Sequence, residues 1–278
     1  MIPPVANRFV AGEDRQEALE RAAVLNVRGI RAILNLLGET YSDPATARAD
    51  VADYHGLIEE IATAELAACI AVKPTQLGLS IRRSLFEDHL EELVAHGVDR
   101  DVFVWIDMEG SATTNDTLAV FEEIAPSYPA MTGVCLQSNL RRTDEDIDRL
   151  QDVPGLIRLV KGAYNEPSSI AYRDKARIDE AYRRHLETLF RNRSYEIAVA
   201  THDPEMIRHA MQLHEVHGTP FQFQLLMGVS EARQSELAED YEVYQYVPYG
   251  GRWFSYFTRR MLERSENLRF AVRAILGR

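Results

Sequence analysis

The chain has 278 residues, long enough for two domains, although α/β barrels of this length commonly form one. Hydrophobic residues make up 46% and charged residues 27%, the balance of an ordinary globular protein. The net charge of −12 is spread along the chain, and the basic pairs Arg141-Arg142 and Arg259-Arg260 are too small for a nucleic-acid footprint, which excludes that class of function.

A leading helix is predicted over residues 16–24, ahead of eight short apolar runs that read as buried strands. The first run, 32–37, precedes an Ala-, Glu- and Asp-rich helical stretch over 42–66. The second, 69–73, ends on Lys73; in the helix expected over 79–95, Leu79, Leu85, Leu90 and Leu93 recur between charges, with Gly97 as the stop. The third, 102–107, ends on Asp107, with Glu109 just beyond, and a helix over 115–124 opens on Asn115 as its cap. The fourth, 133–137, ends on Gln137; Thr143 caps the next helix, with Asp146 reaching back in place of the usual Glu. The fifth, 156–161, carries Arg158 and ends on Lys161. Helices over 172–190 and 203–214, the latter with Pro204 in its first turn, flank the sixth run, 197–201. The seventh, 221–226, carries Gln224 and Leu226; the eighth, 243–247, carries Tyr246 and leads into a helix over 250–263.

Strand alternating with helix eight times implies a parallel sheet, and eight such units close into a (βα)₈ barrel, a single domain over residues 1–278. The competing fold, an open doubly wound sheet, calls for a Gly-x-Gly-x-x-Gly turn after an early strand, and the sequence has none. Cys69 and Cys135 fall inside apolar runs and are expected to be buried free thiols, consistent with a reducing compartment. The opening Met1-Ile-Pro-Pro-Val lacks the features of a secretory signal, and no 18-residue apolar stretch exists to span a membrane. Peripheral membrane contact is compatible with all of this.

In such a barrel the chemistry sits at the carboxyl ends of the strands. Those positions hold Lys73, Asp107, Glu109, Gln137, Arg158, Lys161, Thr201, His202, Gln224, Leu226 and Tyr246, a strongly polar ring. Only three of the 31 basic residues are lysine, and two of those three, Lys73 and Lys161, close strands. An ammonium is a compact charge whose pKa moves readily on burial, though a lysine there also serves simply as a surface cap. Arg158 and Lys161, three apart, point to opposite faces of a regular strand, and Gly162 lets the backbone approach a ligand. A buried Arg158 needs an anion or a polar ring system, or a salt bridge to another strand.

The sequence offers no metal-ligand spacing and no Gly-x-Ser-x-Gly elbow, and Cys135 has no basic neighbour in sequence to activate it. His185, His209, His214 and His217 fall on helix or loop segments and are expected to be solvated. Tyr256 and Arg260 are four apart on one helical face, with Arg259 beside them. Two guanidiniums and an aromatic ring can grip a carboxylate and cover an apolar ring; spacing alone equally allows a solvated pair bonded to Glu263.

Seven segments, in order, carry a family resemblance: Ile-Ala-Val-Lys73-Pro-Thr-Gln-Leu-Gly, Ile106-Asp107-Met-Glu109-Gly-Ser, Leu136-Gln137-Ser-Asn-Leu-Arg-Arg142, Ile157-Arg158-Leu-Val-Lys161-Gly-Ala-Tyr164-Asn-Glu-Pro, Ala200-Thr201-His202-Asp203, Phe223-Gln224-Leu-Leu226-Met-Gly, and Tyr246-Val-Pro-Tyr-Gly250 followed by Trp253, Tyr256, Arg259 and Arg260. From about Arg8 to Asn267 the chain resembles the monofunctional, FAD-dependent proline dehydrogenases. The resemblance implies a distorted (βα)₈ barrel with the last helix over its mouth, turning Arg259 and Arg260 inward. It implies oxidation of L-proline to Δ¹-pyrroline-5-carboxylate, the first step of proline catabolism to glutamate, by hydride transfer from C5 to flavin N5.

It also implies roles. Lys73, Arg259 and Arg260 would bind the substrate carboxylate, Asp107 would hold Lys73, and Leu226, Tyr246 and Tyr256 would enclose the ring. Arg158 would sit near flavin N5 and Gln137 at the isoalloxazine edge. Lys161, Gly162, Ala163 and Tyr164 would line the flavin and its phosphates, with Thr201, His202 and Gln224 completing the cofactor site. A quinone would take the electrons, a separate pyrroline-5-carboxylate dehydrogenase would be the downstream partner, and the location would be cytoplasmic, peripheral at the inner face of the membrane. Ser138-Asn139 stands where the family usually has Ala-Tyr, and Met227 where Tyr or His is more usual. Two other functions share the expected fold: a Schiff-base aldolase or lyase using Lys73 or Lys161, and a flavin- or proline-binding sensor without turnover.

Overall fold

The computed structural model describes residues 6–38 and 40–254. Tyr256, Arg259 and Arg260, and most of the helix expected over 250–263, lie outside the described residues. In chain order the elements are α1 (Arg15–Val27), β1 (Arg31–Leu36), α2 (Pro44–Thr63), β2 (Ala68–Val72), α3 (Arg83–Arg100), β3 (Val104–Ile106), α4 (Ser111–Ile124), β4 (Thr132–Gln137), α5 (Thr143–Arg149), β5 (Leu156–Val160), α6 (Lys175–Asn192), β6 (Ile197–Val199), α7 (Pro204–His217), β7 (Phe221–Leu226), α8 (Glu231–Leu237) and β8 (Val243–Tyr249). All eight strands are parallel, each paired with the next. β1 also pairs with β8, from Arg31 opposite Tyr244 to Leu36 opposite Tyr249, which closes the barrel.

Closure follows from the two-residue period of the strands. One parity, including Leu34, Ile70, Val72, Val104, Ile106, Leu159 and Val199, faces the helices and joins the main core. The other parity, Ile33, Cys69, Ala71, Trp105, Leu156 and Ala198, packs as a separate cluster inside the barrel. Each fully buried aliphatic or aromatic side chain contributes about 1.5–3 kcal/mol, so both layers matter to stability. The interior is narrow, and Trp105 fits because its register partner is Gly133. A Cβ on Gly133 would lie 2.6 Å from the Trp105 ring and 2.8 Å from the Leu156 carbonyl oxygen.

Side-chain caps start several helices: Asp43 accepts from the Ala45 and Thr46 N–H groups, Asp174 from Arg177, and Asp203 from Glu205. The leading helix α1 packs against β8 and β1. That is the flank a helix following β8 occupies in a regular barrel, so α1 completes the outer ring there. Arg21 of α1 fixes it by donating to Gln245 Oε1 at 2.7 Å and to Glu231 Oε1 at 2.7 Å.

Several local expectations are corrected. α3 runs through Gly97 to a left-handed Asp101. Gly97 serves packing, because a Cβ there would meet the Val102 carbonyl oxygen at 2.4 Å. α4 begins at Ser111, so Asn115 lies within the helix and caps nothing. Thr143 does not cap α5 through its side chain; its hydroxyl donates to the Gln137 carbonyl at 2.6 Å, and Asp146 binds Arg142 through two bonds of 2.8 Å. His185 is buried, with Nδ1 3.0 Å from Ser138 Oγ and Nε2 3.2 Å from Asp144 Oδ1, and burial pushes its pKa down to about 4.

Gly133→Ala is expected to cost about 1–3 kcal/mol through overpacking. The check is urea unfolding: a lower midpoint with an unchanged slope is predicted, and a wild-type midpoint would show that Trp105 can move aside without penalty.

Candidate active site

The carboxyl ends of the strands surround a cavity of about 480 Å³, within the range of small-molecule and cofactor sites. Lys73, Asp107, Gln137, Arg158, Lys161, Gly162, Ala163, Tyr164, Thr201, His202, Gln224, Leu226 and Tyr246 all line it. Apart from Glu109, each residue expected at the strand ends that falls among the described residues is therefore at this one place. Glu109, also expected in the ring, turns away: its carboxylate accepts from the Thr75 N–H and hydroxyl, both at 2.8 Å.

Asp107, just past β3, is the centre of the site. Its Oδ2 accepts from Lys73 Nζ at 2.7 Å and from the Tyr246 hydroxyl at 2.6 Å, while Oδ1 accepts from Arg158 Nη1 at 2.5 Å. Lys73 Nζ also lies 3.4 Å from the Tyr246 hydroxyl. Burial works against both charges of the Lys73–Asp107 pair, but each is held ionised by the other. The Asp107 pKa is lowered by Lys73 and Arg158, and that of Lys73 is raised by Asp107. Two cations thus share one carboxylate, and positive charge is left over toward the cavity.

Arg158 is 4% exposed and fixed on three sides. Nη1 binds Asp107, Nε donates to Gln224 Oε1, and the guanidinium stacks 4.4 Å over the Trp105 ring. Its Nη2 is buried and makes no hydrogen bond among the described residues. Such an orphaned donor suits a ligand acceptor.

Lys161 lies just past β5 and points the other way from Arg158, as their spacing predicts. Its Nζ donates to Asp179 on α6 and, at 2.6 Å, to Asp203 at the start of α7. These two carboxylates are held below the usual range because Lys161 and Lys175 outweigh the effect of burial. Gly162 has φ +105, a conformation that favours glycine, and a Cβ there would meet Asn139 Oδ1 at 2.0 Å. Asn139 therefore packs directly beneath the backbone expected to meet the flavin. Gln137 Nε2 donates to the Glu109 carbonyl at 2.9 Å, and the Leu226 N–H donates to His202 Nε2 at 3.0 Å.

Met108, Val160, Ala200 and Leu225 also line the cavity without standing out in the sequence, as does Cys135, which the sequence presents only as a buried thiol. Trp105 could have been found by strand parity, two residues before Asp107. Cys135 does have a basic neighbour in the fold, since Arg158 is its register partner. Burial outweighs that charge and pushes the thiol up to about 11, so it is no nucleophile at neutral pH.

Comparisons with known proteins place the chain in a family. A family model described as proline dehydrogenase matches residues 18–273. Proline dehydrogenase 1 of Bacillus subtilis strain 168 is 35% identical over 275 residues, covering 98% of this chain and 90% of the relative. The proline dehydrogenase of Deinococcus radiodurans is 34% identical over 280 residues, with coverage of 98% and 90%. The bifunctional protein PutA of Escherichia coli K12 is 26% identical over 322 residues, 97% of this chain but 24% of that protein. Among solved structures, proline utilization A (PutA) from Bdellovibrio bacteriovorus, inactivated by N-propargylglycine, superposes with a TM-score of 0.85 at 24% identity. It covers 93% of this chain and 32% of that one, and at this identity it speaks for the fold alone.

Asp107→Ala leaves Lys73 and Arg158 facing each other without a counter-charge and is expected to cost about 3–5 kcal/mol at neutral pH. A carboxyl whose pKa is lower in the fold stabilises fully above its ordinary value, here 3.8, and loses that contribution as pH falls through the lower folded value. The gap between mutant and wild type in urea unfolding should therefore narrow in that acid window. Equal midpoints at neutral pH would contradict the assigned role of Asp107.

Proposed function

The chain belongs to the proline dehydrogenase family, and from that premise we propose that it oxidises L-proline to Δ¹-pyrroline-5-carboxylate with FAD as its cofactor. Oxidation of proline is the family's activity and a step in proline catabolism. The observation that carries the finer reading is the surplus positive charge at the cavity, where Asp107 answers only one of the charges on Lys73 and Arg158. An amino-acid carboxylate and an electron-rich flavin are both suited to such a site.

The residues present fit FAD. Arg158 Nη2 is a buried donor without a protein acceptor among the described residues, and Gly162 admits a close backbone approach beside Ala163 and Tyr164. Arg158, Gln137 and Gln224 would hold the isoalloxazine, and Lys161, Gly162, Ala163, Tyr164, Thr201 and His202 the rest of the cofactor. FAD bound there would supply the two-electron oxidant that accepts a hydride from C5 of proline.

The protein's own work is orientation. Lys73, with Arg259 and Arg260, binds the substrate carboxylate. Leu226 and Tyr246, with Tyr256, enclose the ring and present C5. Asp107 keeps Lys73 and Arg158 charged and in place. Loss of a hydride from C5 and of a proton from nitrogen creates the C=N bond, with the proton passing to solvent.

We extend the proposal to a single catalytic domain over 1–278, a quinone as final electron acceptor, and a cytoplasmic location with peripheral contact at the inner face of the membrane. No helix among the described residues is long and apolar enough to cross a membrane. A separate pyrroline-5-carboxylate dehydrogenase would take the product; a bifunctional PutA, of which this chain spans 24%, supports such a link. The lyase alternative is disfavoured by the site. A Schiff-base lysine needs a lowered pKa, whereas that of Lys73 is raised, and Lys161 is tied to Asp179 and Asp203.

Proline deuterated at C5 tests the reaction. Slower turnover than with unlabelled proline, and a product lacking one C5 label, are expected; a product that keeps both C5 labels would contradict oxidation at C5. Arg259→Met and Arg260→Met are each expected to raise the proline KM more than about tenfold, since a charge-assisted bond is worth roughly 1.5–3 kcal/mol. Steady-state kinetics checks this, and an unchanged KM in both variants would refute the carboxylate clamp.

A further inference from the structure

Hydrogen bonding continues from Arg158 away from the cavity. Gln224, the acceptor for Arg158 Nε, donates through Nε2 to Gln222 Oε1 at 2.8 Å. Gln222 donates through Nε2 to Glu196 Oε1 at 3.0 Å. Gln222 and Gln224 are two apart on β7 and both buried, at 3% and 4% exposure, so both point into the barrel. Glu196 stands immediately before β6 and lines a second cavity of about 280 Å³ at the opposite end of the barrel, together with Cys69, Phe103, Tyr195, Gln222 and Tyr244. Trp105 also lines that lower cavity while lying under the Arg158 guanidinium. A polar chain thus crosses a barrel whose other interior layer is apolar.

The two ends dictate the direction of every bond. A guanidinium only donates, and an ionised carboxylate only accepts. Gln224 must turn its carbonyl oxygen to Arg158, which leaves its NH₂ for Gln222. Gln222 must then offer its oxygen to Gln224 and its NH₂ to Glu196. Without an acceptor at position 196, Gln222 loses the constraint that fixes its amide, and a flipped Gln222 would present a donor to the Gln224 NH₂. Burial raises the Glu196 pKa above its ordinary value, with Glu242 nearby adding to the effect and Arg31 opposing it. A protonated Glu196 keeps a carbonyl oxygen that can receive Gln222, but only the ionised carboxylate, which has no donor, enforces the direction.

We propose that Glu196, at the far end of the barrel from the active site, is a positioning residue that sets the orientation of Arg158 through Gln222 and Gln224. Its catalytic consequence rests on the flavin reading above; its geometric content does not. Glu196 touches neither substrate nor cofactor. It keeps the Gln224 oxygen turned to Arg158 Nε, which leaves Nη2 as the donor facing the ligand.

The test uses the full chain with and without FAD. In the flavin-free protein, solvent exchange of the Arg158 Nε–H is followed by ¹⁵N NMR, the resonance being assigned by its loss in Arg158→Lys. Gln222→Leu and Glu196→Ala are expected to speed this exchange about tenfold or more, and Glu196→Gln, which keeps the acceptor, to stay within about twofold of wild type. With FAD bound, the first two variants are expected to lower kcat about five- to tenfold with the proline KM within about twofold, while Glu196→Gln restores kcat. Glu196→Ala, at the end of the chain of bonds and only partly buried, keeps the test open should Gln222→Leu fail to fold. Wild-type exchange in both disruptive variants overturns the proposal. Faster exchange with unchanged kcat overturns its functional half. A wild-type protein that takes up FAD but does not oxidise proline counts against the functional reading instead, and the exchange measurement still decides whether Glu196 orients Arg158.

Discussion

A single carboxylate, Asp107, organises this molecule's chemistry. It meets Lys73 from β2, Arg158 from β5 and the Tyr246 hydroxyl from β8, and so ties together strands from three parts of the barrel. A buried ion pair is weak evidence for stability, because taking the charges out of water costs about as much as their attraction returns. Its value here lies in geometry and sign. Lys73 and Arg158 share Asp107 as their one hydrogen-bonded carboxylate among the described residues, and the low surrounding dielectric makes the remaining positive charge count.

The barrel supplies the rigidity this arrangement needs. Outward-facing aliphatic residues seat the strands on the helices, and the inward cluster around Trp105 fills the lower half of the interior. Gly133 makes room for the indole, and the indole in turn is the platform on which Arg158 rests. The apolar core and the polar site are therefore mechanically continuous: the same residue that packs the floor supports the guanidinium above it. Asn139, packed against Gly162, supports the Gly162 side of the cavity in a similar way.

Much of this was legible in the sequence, for definite physical reasons. Buried parallel strands are short apolar runs, and a polar residue at the end of such a run has few structural excuses, so Lys73, Asp107, Arg158 and Gln224 stood out. Helix starts were less legible. Asn115 and Thr143 are good caps by residue type, yet Ser111 opens α4 and the Thr143 hydroxyl is taken by Gln137. Gly97 reads as a stop, but here it clears space for the returning chain. His185 reads as solvated on a polar helix, and only the packing of α6 against α5 and the loop after β4 reveals its burial against Ser138. The path from Arg158 to Glu196 was not legible at all, because it depends on the register that brings β5, β6 and β7 side by side.

The most direct test of the central claim, that this cavity holds FAD against proline, is the visible spectrum of the purified protein with FAD before and after anaerobic addition of L-proline. The account predicts flavin absorption that bleaches on mixing. A flavin band that stays oxidised while proline binds would contradict it and leave a sensor without turnover, and a protein that retains no flavin would remove the cofactor from the account.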